Sequence, residues 1–184
     1  MLLKRLLTAL AVTGLVQLAY ADQSLTVVSP DKNIQLLVTH QTAGGLMYSI
    51  TYKGKAVVLP SVVGMKLANP VVSLQQFSLD HIDAVMVDES WKPVWGEQSQ
   101  IRNNYRQLLL SLTDKSGSGI RIQLMFRVFN DGVGFRYIFP QQDKLNHFII
   151  ADELSGFALT GDHTAFWIPG DYDTNEYAYY NSTL

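Results

Sequence analysis

Chemistry in this chain is concentrated near its end. Phe166-Trp167-Ile168-Pro169-Gly170-Asp171-Tyr172-Asp173-Thr174-Asn175-Glu176-Tyr177 packs three carboxylates, an amide and four aromatic rings into twelve residues. Sugar sites are built from such groups, because ring faces stack on aromatic planes while hydroxyls bond to carboxylates and amides. Grouped carboxylate oxygens also suit a hard cation such as calcium. Asp171, Asp173 and Asn175 fall at the first, third and fifth positions of an EF-hand loop. Glu176 then stands where that loop needs glycine and Ser182 where it needs glutamate, so the EF-hand geometry fails. What remains open is a polar surface turn or a cation held in another geometry, for which one loop supplies too few ligands.

A second cluster is Trp91-Lys92-Pro93-Val94-Trp95-Gly96-Glu97. Two indoles four residues apart in a Pro-Gly loop are costly to leave in water. They are expected to plug the open end of a sandwich or to contact another domain; a bound sugar is the alternative. Glu97 with Asp88 and Glu89 offers a carboxylate pair, but closeness in sequence does not set the separation that glycoside hydrolysis requires.

Other chemistries find no support. There is no Gly-x-Ser-x-Gly elbow, and His40, His81, His147 and His163 show no metal-ligand spacing. Cysteine is absent, which removes disulfides, thiolate metal sites and thiol nucleophiles. The net charge of -2 carries no nucleic-acid footprint and no polybasic membrane patch.

Residues 1–21 have the layout of a signal peptide. Lys4 and Arg5 precede an apolar run over residues 6–18, and Ala19-Tyr20-Ala21 gives a small-x-small cleavage pattern before Asp22. That run is shorter than the roughly 20 residues a bilayer span needs, so no membrane span is expected after cleavage. A cysteine-free exported chain fits a bacterial periplasm or cell surface. Roughly 160 mature residues suffice for one domain, since chains of that size bury about 70% of their unfolded surface.

The elements that must position the clusters are strands. Ile34, Leu36 and Val38 alternate with Gln35, Leu37 and Thr39, and a second strand over residues 47–52 turns at Lys53-Gly54 into residues 56–59. Residues 62–67 form a further candidate. Between Asn69 and Asn103 the pattern weakens, with one strand expected around residues 84–88. Leu108, Leu110 and Leu112 alternate, Asp114-Lys115-Ser116-Gly117 turns the chain, and Ile120, Ile122, Leu124, Phe126 and Val128 alternate in return. Asp131-Gly132 predicts a two-residue hairpin turn. That turn pairs Val128 with Phe135, Phe126 with Tyr137 and Leu124 with Phe139, as a buried wall. It also sets Arg127 across from Arg136, a like-charge clash unless both reach water or share an acidic partner. The fold class is all-β, an antiparallel sandwich in one domain over residues 22–184. No closing turn or cap follows Tyr180, so the domain reads as incomplete at its C-terminal end and as the front of something longer.

Four motifs occur here in order: the 91–97 cluster, Ile101-Arg102-Asn103-Asn104-Tyr105, Phe129-Asn130-Asp131-Gly132-Val133-Gly134-Phe135-Arg136-Tyr137, and the 166–177 segment. Together they resemble the N-terminal domain of glycoside hydrolase family 97, in particular its starch-utilisation α-glucosidases. The resemblance runs from about Ser29 to the last residue. It implies a super-β-sandwich of the galactose-mutarotase type that precedes a (β/α)₈ barrel acting on α-glucosides and maltooligosaccharides. The family's catalytic carboxylates belong to that barrel, which leaves no catalytic residue in this chain. The resemblance further implies that Glu176 ligates a calcium ion shared with barrel glutamates. Asp171 and Asp173 would support it, and Trp95 and Trp167 are weaker candidates for substrate contact. The other reading is a free-standing secreted carbohydrate-binding or adaptor sandwich, with Trp91, Trp95 and Trp167 as stacking platforms.

Overall fold

The structure is a computed structural model and describes residues 22–184; the leader assigned to residues 1–21 lies outside the described residues. No helix occurs among the described residues, which form thirteen strands.

The first sheet has the order β1 (Gln23–Val28), β2 (Ile34–His40), β3 (Leu46–Tyr52), β4 (Lys55–Val62), all antiparallel. Its one face is apolar for the reason the alternation predicts: Ile34, Leu36 and Val38 are buried while Gln35 is exposed. Lys53 and Gly54 both adopt positive φ (48° and 77°) between paired Tyr52 and Lys55. That is the mirror-image turn whose twist matches a two-residue hairpin.

The second sheet has the order β10 (Val133–Ile138), β9 (Arg121–Val128), β8 (Ile101–Asp114), β7 (Phe77–Trp91). Leu108, Leu110, Leu112, Ile122, Leu124, Phe126 and Val128 turn inward and join the buried face of the first sheet in one core. Tyr48 of β3 reaches across, its ring centroid 5.9 Å from Phe126 and 5.6 Å from Phe135. The two sheets therefore make a sandwich.

A third sheet, β11 (Ile149–Glu153), β5 (Met65–Asn69), β6 (Val71–Leu74), adds Met65, Leu67 and Leu74 to the same core. Its approach is tight at Gly64, where a Cβ would lie 2.8 Å from the Leu74 carbonyl oxygen. The expected strand over residues 62–67 is accordingly interrupted: β4 ends at Val62 and β5 starts at Met65. The Tyr137 hydroxyl fixes this junction by accepting from Gly64 N (2.8 Å) and bonding Ser155 Oγ (2.7 Å). Last, β12 (Thr164–Trp167) and β13 (Tyr180–Thr183) form a two-stranded ribbon with nearly every residue exposed.

Two further expectations need correction. The short strand around residues 84–88 is the middle of β7, which is fifteen residues long. Beyond Ile82 almost all of its side chains are exposed, so alternation has no buried face to report. The hairpin at Asp131-Gly132 is also wider than expected. Neither residue has positive φ, Val128 pairs with Val133, and Phe129 N donates to Gly132 O at 2.8 Å. The loop thus spans four residues. Two side chains hold it open: Asn130 Oδ1 accepts from Asp31 N (2.9 Å), and Phe129 packs 5.1 Å from Tyr105. Each partner moves by two residues, so Phe126 faces Phe135 and Leu124 faces Tyr137. A shift of two keeps every side chain on its expected face. The buried wall survives, and Arg127 lies opposite Gly134 rather than Arg136.

Candidate carbohydrate-related surface

The ribbon carries the first cluster. Ala165 and Phe166 pair with Ser182 and Asn181, and Trp167 with Tyr180. Trp167 and Tyr180 stack with centroids 5.1 Å apart at 26°, and Trp167 Nε1 donates to Ser182 Oγ at 3.0 Å. The indole is held in one orientation and is still 46% exposed. Trp167 is a preformed flat surface. Its anchoring by Ser182 is invisible in the sequence, since fifteen residues separate the two.

Between the ribbon strands the chain closes on itself. Asp171 Oδ2 accepts from Thr174 N (3.2 Å) and from the Tyr177 hydroxyl (3.0 Å), while Asp171 N donates to Asn175 Oδ1 (3.4 Å). The Thr174 amide first, then the Tyr177 hydroxyl, hold the Asp171 carboxyl below its ordinary range, because both bonds favour the charged form. Asn175 takes a positive φ of 56°, a conformation asparagine tolerates, and Glu176 N donates to Thr174 Oγ1 (3.2 Å). The carboxylates of Asp173 and Glu176 are exposed and meet no hydrogen-bond partner among the described residues.

These carboxylates do not assemble a metal centre by themselves. No group of three His, Asp or Glu side chains able to hold an ion occurs among the described residues. A calcium ion takes six to eight oxygens, so the described residues fit one position in such a shell, at Glu176, and not the shell itself.

Trp95 belongs to a different element, the loop between β7 and β8. It is 88% exposed, Val94 is fully exposed and Trp91 is 52% exposed. The expected plug over the sandwich end is therefore not formed. The indoles instead stand at the end of an arm made by the paired outer halves of β7 and β8, where Trp91 lies opposite Ile101. Arg102 grips Asp88 across this arm through two bonds of 2.8 and 2.6 Å, and Asn103 Nδ2 donates to Glu89 Oε1 (2.8 Å). Asp88 is pushed below its usual value chiefly by its hydrogen bonds from Arg102. Asp88 and Glu89 are thus engaged by Arg102 and Asn103 of the neighbouring strand, and the notion of a catalytic pair with Glu97 gains nothing from the structure.

The histidines stay apart: His40 Nε2 lies 2.8 Å from the Phe77 carbonyl, and His163 Nε2 lies 3.1 Å from Thr160 Oγ1. Fold and site together define an antiparallel β-sandwich module. It displays carboxylates and aromatic rings on protruding loops rather than enclosing them in a cleft.

The sequence model described as Glycosyl-hydrolase 97 N-terminal matches residues 27–184, and the chain belongs to that family. A retaining alpha-galactosidase of Bacteroides thetaiotaomicron is 29% identical over 170 residues, which cover 89% of this chain and 24% of that protein. A probable retaining alpha-galactosidase of Streptomyces bingchenggensis is 28% identical over 165 residues, again 24% of its length. Among solved structures, a Glycoside Hydrolase Family 97 enzyme from Pseudoalteromonas sp. strain K8 in complex with panose aligns with a TM-score of 0.77 at 29% identity. That alignment covers 86% of this chain and 24% of the other. A beta-arabinopyranosidase aligns with a TM-score of 0.68 at 25% identity, covering 78% of this chain and 22% of its own. The chain thus spans about a quarter of the length of the curated relatives it matches.

Proposed function

We propose that this chain is the non-catalytic N-terminal sandwich of an exported family 97 glycosidase. In this reading it closes one side of the active site of a (β/α)₈ barrel, and Glu176 lends one oxygen to a calcium ion completed by barrel carboxylates. The observation that carries the reading is the state of Glu176. Its carboxylate is exposed and unpartnered on a loop whose conformation is already fixed by Asp171, Thr174 and Tyr177. The loop backbone presented this way loses little conformational freedom on binding, so the cost falls on the Glu176 side chain alone, and the shell it cannot fill is filled from the barrel. Asp171 acts by holding the loop, and Asp173 stands ready to bond a water or ligand beside Glu176. Residues 1–21 serve as the export leader, which places the protein in the periplasm or outside the cell.

The substrate class we propose is an α-glucoside of the maltooligosaccharide type. The resemblance to starch-utilisation α-glucosidases supports it, as does the panose complex of the Pseudoalteromonas enzyme. The alpha-galactosidases match this chain at similar identity, and the choice between the two sugars rests with barrel residues. The test is Glu176→Gln in a protein that joins this chain to its barrel. Apparent calcium affinity should fall about tenfold or more, with activity falling in parallel at limiting calcium. An unchanged calcium titration with unchanged kinetics overturns the assignment of Glu176.

The exposed stack of Trp167 on Tyr180 favours a second reading, direct sugar binding by the sandwich. Titration of the chain with maltooligosaccharides should then quench tryptophan emission saturably, and Trp167→Ala should abolish the response. A flat titration removes this reading and leaves the first untouched.

A further inference from the structure

The outer face of the second sheet holds two arginines with no acid to answer them. Arg127 of β9 lies opposite Gly134 and Arg136 of β10 lies opposite Met125, so the two arginines are diagonal neighbours on one face. Such positions are about 7–8 Å apart at the backbone. Gly134 contributes no side chain, and the gap opens as a recess of about 260 Å³ lined by Met125, Arg127, Phe129, Gly134, Phe135 and Arg136.

Arg127 is held in place. Its Nε donates to Gln107 Oε1 (3.0 Å), and its guanidinium carbon sits 4.4 Å from the centroid of the buried Tyr105 ring. Tyr105 is in turn braced by Phe129 at 5.1 Å. These contacts use one edge and one face of the guanidinium. The terminal Nη groups of Arg127, and the whole guanidinium of Arg136, meet no acceptor among the described residues. The chain has sixteen acidic residues against fourteen basic ones, yet the only ion pair among the described residues is Arg102 with Asp88. Like charges set close on a sheet face destabilise it, and a fixed, half-desolvated fork with free N–H groups is the group that binds oxyanions in bidentate fashion.

The geometry points to an oxyanion site: Arg127 and Arg136 clamp a carboxylate that enters the Gly134 gap. The same chemistry is offered by an acidic sugar and by an acidic side chain of an adjoining polypeptide. This site is on a different sheet from the 166–177 ribbon and does not depend on the role of Glu176.

The test follows the backbone amide resonance of Phe135, which lines the recess and is kept in every variant, in ¹H–¹⁵N NMR of the full chain. Sodium acetate, sodium glucuronate and glucose are titrated in turn at constant ionic strength. Acetate and glucuronate should shift the resonance saturably and glucose should not. Equal affinity for the two acids identifies a carboxylate from any source as the ligand, an acidic side chain included. Several-fold tighter glucuronate binding identifies an acidic sugar. Arg127→Lys, which keeps the charge and loses the fork, should weaken binding about tenfold, and Arg136→Gln should do the same. Gly134→Val is the control for folding, because an added Cβ meets no atom within 4 Å. It should leave the melting temperature intact and reduce affinity at least fivefold by filling the gap. No saturable shift with either acid overturns the site. Equal affinity in Arg127→Lys, Arg136→Gln and wild type overturns it too.

Discussion

Phe126→Ala should cost about 3–5 kcal/mol of unfolding free energy, the range for deleting a buried aromatic side chain. Phe126 is 0% exposed at the centre of β9. Its ring lies 5.9 Å from Tyr48 of the opposite sheet and 5.6 Å from Phe135 of the neighbouring strand. Truncation removes the transfer energy of the ring and leaves a cavity that neither sheet can close. The closing motion would have to pull on β3, whose Tyr48 hydroxyl is tied to the Gly156 carbonyl (2.9 Å). Aromatic pair energies of about 0.5–1.5 kcal/mol add to the loss. Phe126→Leu keeps most of the volume and should cost less than half as much. Urea unfolding followed by far-UV circular dichroism reads both variants against wild type. A loss below about 1 kcal/mol for the alanine variant would mean that the two sheets do not share the core described above.

That core was legible from sequence because one buried face enforces alternation. Leu36 and Val38 on one sheet and Leu108, Leu110, Leu112 and Leu124 on the other stand where period two puts them. The Lys53-Gly54 turn was legible for a local reason, since positive φ at both positions selects few sequences. The Asp131-Gly132 turn carries an equally strong local signal and still gives a four-residue loop. Its geometry is decided by Asp31 and Tyr105, which are remote in sequence. Strand β7 was legible only over residues 84–88 for the opposite reason: beyond Ile82 almost all of its side chains are exposed, so no buried face imposes a pattern along its length.

The same division runs through the candidate sites. Carboxylates and rings in residues 166–177 announce themselves by composition. Which of them are free is a matter of geometry. Asp171 is taken by Tyr177 and Thr174, Trp167 is anchored by Ser182, and Glu176 is left over. Arg127 shows how far the two levels can differ. Its expected clash with Arg136 came from a register that the loop length changes by two residues, and its actual partners, Gln107 and Tyr105, lie on β8.

Gly44→Ala should be nearly as damaging as the loss of Phe126, by a different mechanism. Gly44 sits in the turn between β2 and β3 at φ 100°, a region that L side chains rarely adopt. A Cβ placed there would lie 2.9 Å from the Phe77 carbonyl oxygen, 3.1 Å from Phe77 N and 2.8 Å from the Lys115 side chain. Lysine can swing away; the Phe77 backbone cannot. It donates N–H to the Gly44 carbonyl (2.8 Å), and its own carbonyl oxygen lies 2.8 Å from His40 Nε2. Phe77 itself is buried at the start of β7. The turn of the first sheet is thereby bolted to the first residue of the second, and relief of the clash must separate them. Backbone strain of this kind costs about 1–3 kcal/mol, and the displaced bonds add about 0.5–1.5 kcal/mol each, so a total near 3–4 kcal/mol is expected. Gly54→Ala supplies the contrast, because its φ of 77° is similar but no atom lies within 4 Å of the added Cβ. It should show the strain alone, near 1 kcal/mol. Measured side by side, the two variants separate conformational strain from contact between sheets. Equal losses would mean that the Gly44–Phe77 junction carries no inter-sheet stabilisation, and that the sandwich is held by its apolar interior alone.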